Sequence, residues 1–399
     1  MRPAPAERDL SPLEALKLDA TRLGAALDEH IRRHFAPDRR KTLRSFSAAE
    51  AAHLLGVTTA HLRTMRHRGK LPDVGSEDSR RSLQFTAEEI DQIRQALGAT
   101  GRKKDRYLPR RSDGEALQVV AVSSFKGGSG KTSVTAHLAA YFALAGYRVL
   151  VIDLDPQASL STILGIDPEV ELRSSGTIYD AIRFDEPRAM SDVVQHSFFH
   201  NIDIAPAGLI LSEFEQYAAF HARDATGAEP WFTRLSSAIQ SVEGDYDLVL
   251  IDCPPSLGFL TLSAMVAATG LLVPVVPNMI DVASLAQFTR MSSDLMEVLG
   301  EFGANFDYDF VRYVITRHEP TDAPQAQLAA FLRMQFESRV LAATFLKSTV
   351  VADAGMTNQT IYEIRRSDVT RTAYDRARES FDAVGVEVET LLHRAWGRE

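Results

Sequence analysis

Residues 119–157 read VVAVSSFKGGSGKTSVTAHLAAYFALAGYRVLVIDLDPQ. The first apolar run predicts a buried strand, and the glycine-rich segment after it leads into a long helical pattern. Val134, Leu138 and Phe142 recur at the spacing of a buried helical stripe, and Gly146 ends the helix. A strand, a glycine loop and a helix in this order are typical of a phosphate site, because backbone N–H groups and the positive helix end face the ligand.

The residues of this loop suit phosphate binding. Lys131 supplies a positive charge to the outer phosphates, and the Thr132 hydroxyl can ligate magnesium. The residues expected to bind the nucleotide phosphates are Lys126, Gly127, Gly128, Ser129, Gly130, Lys131, Thr132 and Ser133. A glycine-rich surface turn is the alternative, but the strand before the loop and the helix after it favour a phosphate loop.

The loop differs from the ordinary phosphate-loop motif at two positions. Phe125 stands where that motif has its first glycine, and a second lysine, Lys126, precedes the two glycines. This KGGxGK[ST] form resembles the deviant Walker A ATPases of the ParA/MinD group. The resemblance implies ATP or ADP and Mg²⁺ as cofactors, and a homodimer in which Lys126 reaches the ATP of the partner. Considered alone, Lys126 could also be a solvated lysine beside a glycine loop.

Three further segments, VLVIDLDPQ, LVLIDCPPSLG and VPVVPNMIDVAS, match the same family in the expected order. The resemblance implies that Asp155 positions the attacking water, that Asp252 supports magnesium, and that Asp153 has a structural or magnesium-side role. The implied catalytic residues are Lys126, Lys131 and Asp155, the implied metal residues are Thr132, Asp252 and Asp153, and the implied adenine contacts are Pro277, Asn278 and Met279. Any one of these acids alone could be a helix cap or a surface charge.

Charge is distributed unevenly along the 399 residues. Residues 1–115 carry a net charge of +6 and the remainder carries −15. A basic segment ahead of an acidic body suggests a nucleic-acid module attached to another domain. The single cysteine, Cys253, excludes a disulfide framework and cysteine-rich metal sites. The most apolar stretch, 264–277, is too short and interrupted to span a bilayer, and MRPAPAERDL shows no secretory signal, so we expect a cytoplasmic protein.

Residues 46–72, FSAAEAAHLLGVTTAHLRTMRHRGKLP, show a helix-turn-helix pattern that resembles the winged type of the MerR group. Ser47 and Glu50 suit a capping box, and Gly56 permits a tight turn. The residues expected to bind DNA are Thr59, His61, Arg63, Thr64 and Arg66 on the second helix, with Arg80 and Arg81 in a wing. The alternative is a helical hairpin that only packs, with a solvated basic face.

The N-terminal residues 11–35 predict one amphipathic helix, with Ser11 as its cap. Its apolar positions at helical spacing are Leu16, Leu23, Leu27, Ile31 and Phe35. The helix could pack on its own domain or dimerise, and the sequence leaves both open.

From Gln118 onwards, apolar strands alternate with helical stretches, which predicts an α/β domain with a mostly parallel sheet. The predicted strands are 118–123, 148–153, 202–205, 247–252, 271–276 and 310–315. We therefore expect an N-terminal helix in residues 1–40, a winged helix-turn-helix domain in 41–112 and a P-loop NTPase domain with a deviant Walker A motif in 113–399. Residues 98–117, which are rich in glycine and basic residues, suggest a linker.

The C-terminal third narrows the resemblance. FLKSTVVADAGMTNQTIYEI and RRSDVTRTAYDRARESFDAV look like RepA, the ParA-type member of repABC plasmid replication and partition systems. The resemblance implies slow ATP hydrolysis, non-specific binding to nucleoid DNA, stimulation by a ParB-type partner (RepB in these systems) and autorepression at a specific operator. The candidates for the non-specific DNA surface are Lys347, Arg365, Arg366, Arg371, Arg376 and Arg378. They could instead pair with nearby acids, namely Asp353, Glu363, Asp368, Asp375 and Glu379.

Two other functions remain open at this stage. A nucleotide-sensing transcription repressor with incidental ATPase activity would use the same N-terminal segment. A membrane-associated regulator of the MinD kind is less consistent with the C-terminal sequence VEVETLLHRAWGRE, which has three glutamates beside two arginines.

Overall fold

The computed structural model describes residues 11–34, 41–77, 82–99, 104–166, 176–221 and 229–398. The chain divides into two compact units, residues 1–42 and residues 43–399. Helix α1 (Pro12–His34) belongs to the first unit, and the Glu14 carboxylate accepts hydrogen bonds from the Ser11 backbone and hydroxyl. Leu16 and Leu23 are 68% and 72% exposed. The side chains of Leu27 and Ile31, and all of Phe35, lie outside the described residues.

The second unit begins with a small three-stranded antiparallel sheet and short helices. The strands, in the sheet order β1-β3-β2, are β1 (Phe46–Ser47), β2 (Ser76–Glu77) and β3 (Leu83–Phe85). The helices are α2 (Ala48–Leu54), α3 (Thr59–His67), α4 (Ala87–Ala99) and α5 (Lys104–Tyr107). The capping box of Ser47 and Glu50 is present, and Gly56 makes the turn between α2 and α3 with a left-handed φ of 63°. Leu55 and Leu62 are buried, as the pattern predicted.

A seven-stranded sheet forms the centre of the remaining chain. Its strands are β4 (Gln118–Val122), β5 (Val149–Asp153), β6 (Gln195–His196), β7 (Ile202–Ala205), β8 (Leu248–Asp252), β9 (Gly270–Val275) and β10 (Phe310–Ile315). The order across the sheet is β10-β9-β4-β8-β5-β7-β6, and every pair is parallel except β6 with β7. The mostly parallel α/β fold of the prediction is therefore confirmed.

Helices cover this sheet on both faces. They are α6 (Lys131–Ala145), α7 (Ser159–Ile163), α8 (Ile178–Ile182), α9 (Met190–Val193), α10 (Ser212–His221), α11 (Arg234–Gln240), α12 (Phe259–Ala267), α13 (Met279–Glu301), α14 (Ala323–Phe336), α15 (Thr349–Met356) and α16 (Arg371–Ala395). Strands β4, β5, β8 and β9 are buried along their whole length, as parallel strands between two helical layers must be. Alternate residues of β4 point to different cores: Val120 and Val122 to one, Val119 and Ala121 to the other.

All six predicted strands occur within one residue of their expected ends. Strand β6 was not predicted, because two residues, Gln195 and His196, are too short to show an alternating pattern. The segment that suggested a linker is only partly extended. Within it, Arg110 donates to the Gly146 carbonyl at 2.9 Å, and the Arg111 backbone donates to Asp247 at 3.3 Å. This part of the segment is therefore held against the sheet domain.

Arg94 joins the N-terminal helices to the phosphate-loop helix. Its side chain is buried, and its guanidinium donates to the Leu54 and Leu144 carbonyls, both at 2.8 Å, and to the Tyr107 carbonyl at 3.3 Å. Leu54 ends α2 and Leu144 lies in the last turn of α6, so one side chain satisfies carbonyls at the ends of two helices. Gly146 has φ 105°, and a Cβ there would lie 2.5 Å from Arg94 Cδ.

We expect Arg94→Met to lower the free energy of unfolding by about 3 kcal/mol, because it leaves buried carbonyls without their donor. Methionine keeps most of the aliphatic volume, so the loss would report the hydrogen bonds. Urea unfolding measures the change, with the exposed Arg290→Met as the matched control. Equal unfolding midpoints for Arg94→Met and wild type would contradict this role.

His137 joins α6 to the C-terminal segment of the chain. Its Nε2 accepts from the Ile361 N–H at 3.1 Å, so its Nδ1 carries the proton and donates to the Ser133 carbonyl at 2.6 Å. The neighbouring Tyr362 carbonyl accepts from Arg44 Nε at 3.2 Å. Burial lowers the pKa of His137 to about 4. The ring is therefore neutral in the folded protein at physiological pH.

This depressed pKa predicts a contribution of His137 to acid sensitivity. As the pH falls below about 6.5, the unfolded state binds a proton on His137 that the folded state does not accept until about pH 4. Between pH 7.5 and pH 5, the free energy of unfolding of the wild type should therefore fall by about 2 kcal/mol more than that of His137→Gln. Urea unfolding at both pH values measures the difference, and the exposed His61→Gln is the control. The same pH dependence in wild type and His137→Gln would show that the prediction is wrong.

No helix in the described ranges is both long and apolar enough to span a membrane.

Candidate functional site

The phosphate loop lies between the central strand β4 and helix α6. Two of its glycines, Gly128 and Gly130, have φ values of 79° and 92°, a left-handed conformation that side chains with a Cβ rarely adopt. The Ser124 and Ser129 hydroxyls lie 2.6 Å apart and close the loop across its base. The sequence requirement for glycine at these positions therefore follows from the backbone path.

Lys131 begins α6 and curls back over the loop. Its Nζ donates to the Ser124 and Lys126 carbonyls, both at 3.2 Å, and its side chain is buried. Burial lowers the pKa of Lys131, and the nearby carboxyl groups of Asp252 and Asp155 oppose that shift. The ammonium is thus held at the loop that would receive phosphates.

The residues just after strand β10 support the phosphate loop, and the sequence motifs did not predict these contacts. The Thr316 hydroxyl donates to the Ser129 carbonyl at 2.7 Å, and the Arg317 guanidinium donates to the Gly128 carbonyl at 3.3 Å. Arg317 itself has a left-handed φ of 51°. The only sequence signal for these contacts was that a polar pair follows a predicted strand. Pairing of β10 with β9 brings it to the loop.

Two carboxylates lie side by side at the ends of neighbouring strands, because Asp153 of β5 pairs in register with Asp252 of β8. Both are completely buried. Asp153 accepts from the Asp155 N–H at 3.1 Å and from the Ser161 N–H and hydroxyl at 2.9 and 2.8 Å. Burial raises the pKa of Asp153 to about 6. Of the two roles considered for Asp153, its three protein donors favour the structural one.

Asp252 has the opposite environment. Neither of its carboxylate oxygens accepts a hydrogen bond of ordinary geometry from the described part of the chain. Burial, together with the charge of Asp153, raises the pKa of Asp252 well above its ordinary value, while Thr132 and Lys131 act against this shift. A buried carboxylate without partners requires an explanation, and a cation that binds here supplies one.

The residues present fit a magnesium ion that binds together with phosphate. No group of three or more His, Cys, Asp or Glu side chains among the described residues could hold a metal by itself. Mg²⁺ commonly binds through one or two carboxylates, water and nucleotide phosphates, so the single free carboxylate of Asp252 with the Thr132 hydroxyl is a suitable protein contribution.

Asp155 follows β5 and is held in a turn. Its Oδ1 accepts from the Gln157 N–H at 3.0 Å while its own N–H donates to Asp153. The side chain is half-buried, unlike those of Asp153 and Asp252. Its orientation is thus set by the backbone of the turn, as a residue that positions water would need.

The predicted adenine loop forms the start of helix α13. Asn278 is the N-cap of that helix, and its side chain accepts from the Asp281 N–H at 2.9 Å. Pro277 is buried and Met279 is 67% exposed. The structure brings this loop near Lys126, whose Nζ lies 2.8 Å from Asp281 Oδ2. Contact of Pro277, Asn278 and Met279 with adenine stays a prediction.

The candidate DNA-binding residues are spread over helix α3. His61, Arg63 and Thr64 are exposed, whereas Thr59 and Arg66 are half-buried and Arg66 lies 3.7 Å from Asp73. Arg80 and Arg81 lie outside the described residues.

The C-terminal basic residues divide into two groups. Lys347 pairs with Glu319, Arg366 with Asp375, and Arg378 with Asp382, while Arg365, Arg371 and Arg376 are exposed. Of these partners, only Asp375 was among the acids suggested by the sequence. Glu319 was missed because it is distant in sequence from Lys347. Asp382 lies one helical turn after Arg378, a spacing that the sequence does show, and it was overlooked.

Known proteins resemble this chain over most of its length. A family model described as an AAA domain matches residues 117–301. A protein of Sinorhizobium fredii named putative replication protein A is 45% identical over 371 residues, which cover 92% of this chain and 90% of the relative. A protein of the same name in Rhizobium rhizogenes is 44% identical over 402 residues, which cover 100% of this chain and 98% of that relative. The chromosome partitioning protein ParA of Caulobacter vibrioides is 32% identical over 240 residues, covering 60% and 84%.

Solved structures share the fold. A structure titled Partition Protein has a TM-score of 0.63 at 16% identity and covers 96% of this chain and 99% of its own. Cobyrinic acid a,c-diamide synthase of Mycobacterium smegmatis, solved with ADP and magnesium, has a TM-score of 0.51 at 26% identity, covering 61% and 91%. The near full-length rhizobial matches and the match to ParA show that the chain belongs to the family of ParA-type partition ATPases.

Proposed function

We propose that the protein is a magnesium-dependent ATPase that partitions a plasmid on the nucleoid and represses its own operon. In this proposal it dimerises with ATP, binds DNA non-specifically in that state, and is stimulated by a ParB-type partner. The observation that carries the ATPase assignment is the buried carboxylate of Asp252 near Lys131 and Thr132, which accepts no hydrogen bond of ordinary geometry from the residues that the structure describes. The bound ADP and magnesium of the M. smegmatis relative support the same ligands here.

The residues of the loop would hold the nucleotide by charge and by backbone donors. The N–H groups around Gly128 and Gly130 and the first turn of α6 face the phosphates, and Lys131 exchanges its two carbonyl contacts for phosphate oxygens. Thr132 and Asp252 would hold magnesium, which when bound neutralises phosphate charge.

Hydrolysis requires a water molecule in line with the outer phosphate. Asp155 is the half-buried carboxylate at the end of β5, and its turn holds it in one orientation. Its role is positioning more than strong base chemistry, because phosphoryl transfer depends chiefly on geometry and charge. Lys126 would act on the nucleotide of the second subunit.

The test is steady-state ATP turnover by the wild type and Asp155→Ala, alone and with random DNA plus the ParB-type protein encoded beside it. We expect slow wild-type turnover that rises several-fold with both additions. Asp155→Ala should lose about 100-fold in turnover yet bind ATP normally by calorimetry, because it removes only the positioning of water.

Lys131→Ala is the contrasting variant, since it should lose ATP binding itself. The exposed Asp185→Ala is the matched carboxylate control and should behave as wild type. Normal turnover by Asp155→Ala would assign the water to another residue. Wild-type turnover that does not change when DNA and the partner protein are added would favour the alternative function, a nucleotide-sensing transcription repressor.

The N-terminal segment is proposed as the reader of a specific operator. Its capping box, its turn at Gly56 and its buried Leu55 and Leu62 hold α2 and α3 together, so α3 presents His61, Arg63 and Thr64 on the surface. The small sheet that follows would serve as the wing. These side chains can donate to base edges and phosphates in a major groove.

Arg63→Ala should weaken binding to the promoter of its own operon by about tenfold, because a side-chain contact to a base edge is lost. Binding to random DNA should change much less. Fluorescence anisotropy with both DNAs at fixed salt measures this, and Arg290→Ala is the control. An equal loss of affinity for both DNAs would show that Arg63 contacts only the DNA backbone. Unchanged affinity for both would show that α3 is not part of the interface.

Other surfaces fit the remaining parts of the proposal. Leu16 and Leu23 leave an exposed apolar stripe on α1, which supports its use in dimerisation. The exposed arginines Arg365, Arg371 and Arg376 support non-specific contact with DNA phosphates. A MinD-like membrane role is less consistent with α16, because Val384, Val388 and Leu392 on that helix are buried in the core of their own chain.

A further inference from the structure

Lys126 is held by a carboxylate of its own chain. Its Nζ lies 2.8 Å from Asp281 Oδ2, across 155 residues of sequence. The lysine side chain is 38% exposed, whereas that of Asp281 is only 6% exposed. The pair is thus asymmetric: the lysine can move into solvent, and the aspartate cannot follow it.

Asp281 is fixed in place by the start of helix α13. Its N–H is capped by the Asn278 side chain at 2.9 Å, and it follows three residues after that cap. A small cavity at this point is lined by apolar side chains, among them Phe125, Leu285 and Phe288, and by the hydroxyls of serine residues. Because the Asp281 side chain is only 6% exposed, water replaces little of the lost partner when the lysine leaves, and the unpaired carboxylate is unfavourable.

We propose that Asp281 is a positioning residue that retains Lys126 on its own subunit and must release it before Lys126 can engage a nucleotide bound to a second copy of this chain. The inference rests on the proposed function, which assigns Lys126 to the nucleotide of the partner. Release leaves Asp281 unpaired, so the pair opposes dimerisation until phosphate charge across the interface outweighs it.

The same competition favours ATP over ADP. Asp281 and the partner's phosphates compete for one ammonium group, and ADP lacks the outermost phosphoryl group and its charge. ADP therefore competes less well with the carboxylate, so the subunit contact that Lys126 makes is favoured by the triphosphate over the diphosphate. Asp281 thus acts as a threshold on nucleotide-dependent assembly, without touching the nucleotide of its own subunit.

Asp281→Asn isolates this effect, because it keeps the side-chain volume and the N–H that Asn278 caps and removes only the charge. With Mg²⁺ and ATP, it should dimerise at about tenfold lower protein concentration than wild type and hydrolyse ATP several-fold faster without DNA or partner protein. With ADP it should likewise dimerise at a lower protein concentration than wild type. Analytical ultracentrifugation and phosphate release measure these quantities, and ATP binding to the monomer should be unchanged.

Asp294→Asn is the matched control, since it removes an exposed carboxylate from the same helix. A role through Lys126 also predicts that the gain disappears in the Lys126→Ala background, which a merely structural change would not do. If Asp281→Asn does not fold, Asp281→Ser provides the same neutral comparison.

The outcomes separate the inference from the proposed function. A wild type that neither dimerises with ATP nor hydrolyses it overturns both. A wild type that does so, with Asp281→Asn equal to it or weaker, overturns the inference alone. A gain that persists without Lys126 also overturns it. A gain that requires Lys126 supports it.

Discussion

Every helix leaves backbone groups unpaired at its two ends, and helix α6 meets this constraint with different partners at each end. At its start, the N–H groups of the first turn have no acceptor within the helix, and the proposed phosphate site uses them. At its end, the Leu144 carbonyl is satisfied by Arg94 and the Gly146 carbonyl by Arg110. The phosphate loop and the proposed DNA reader are therefore attached to opposite ends of one fifteen-residue helix. A rearrangement at the loop that moves α6 must also act on Arg94.

The site combines two buried acids that the fold treats differently. The carboxylate oxygens of Asp153 accept hydrogen bonds from the Asp155 and Ser161 N–H groups and the Ser161 hydroxyl, and they so hold the turn that carries Asp155. The carboxylate of Asp252, in register beside it, accepts no hydrogen bond of ordinary geometry within the described ranges. Such an arrangement is costly by itself, because two neighbouring carboxylates are buried together and their pKa values rise. Binding of a cation would offset the repulsion between the two carboxylates, so this arrangement favours ligand binding over the stability of the ligand-free protein.

Much of the site could be predicted from local pattern. The phosphate loop, the positions of six strands along the chain and the capping box of Ser47 and Glu50 each depend on residues close in sequence, whose periodicity and turn chemistry are visible directly. Contacts between distant segments could not be predicted this way. The support of the loop by Thr316, the pairing of Lys126 with Asp281 and the junction at His137 each join residues more than 150 positions apart.

The amino-acid sequence thus determined the identity of the phosphate loop, the α/β class and the candidate acids, since a glycine loop between a strand and a helix has few other uses. Tertiary structure decided how these parts are used. It gave the Asp153 carboxylate hydrogen-bond donors and gave that of Asp252 none of ordinary geometry among the described residues. It also paired Lys126 with Asp281 and joined α2 to α6 through a buried guanidinium. The physical reason is that burial and charge pairing depend on which strands and helices become neighbours, and sheet order is not encoded in any single segment.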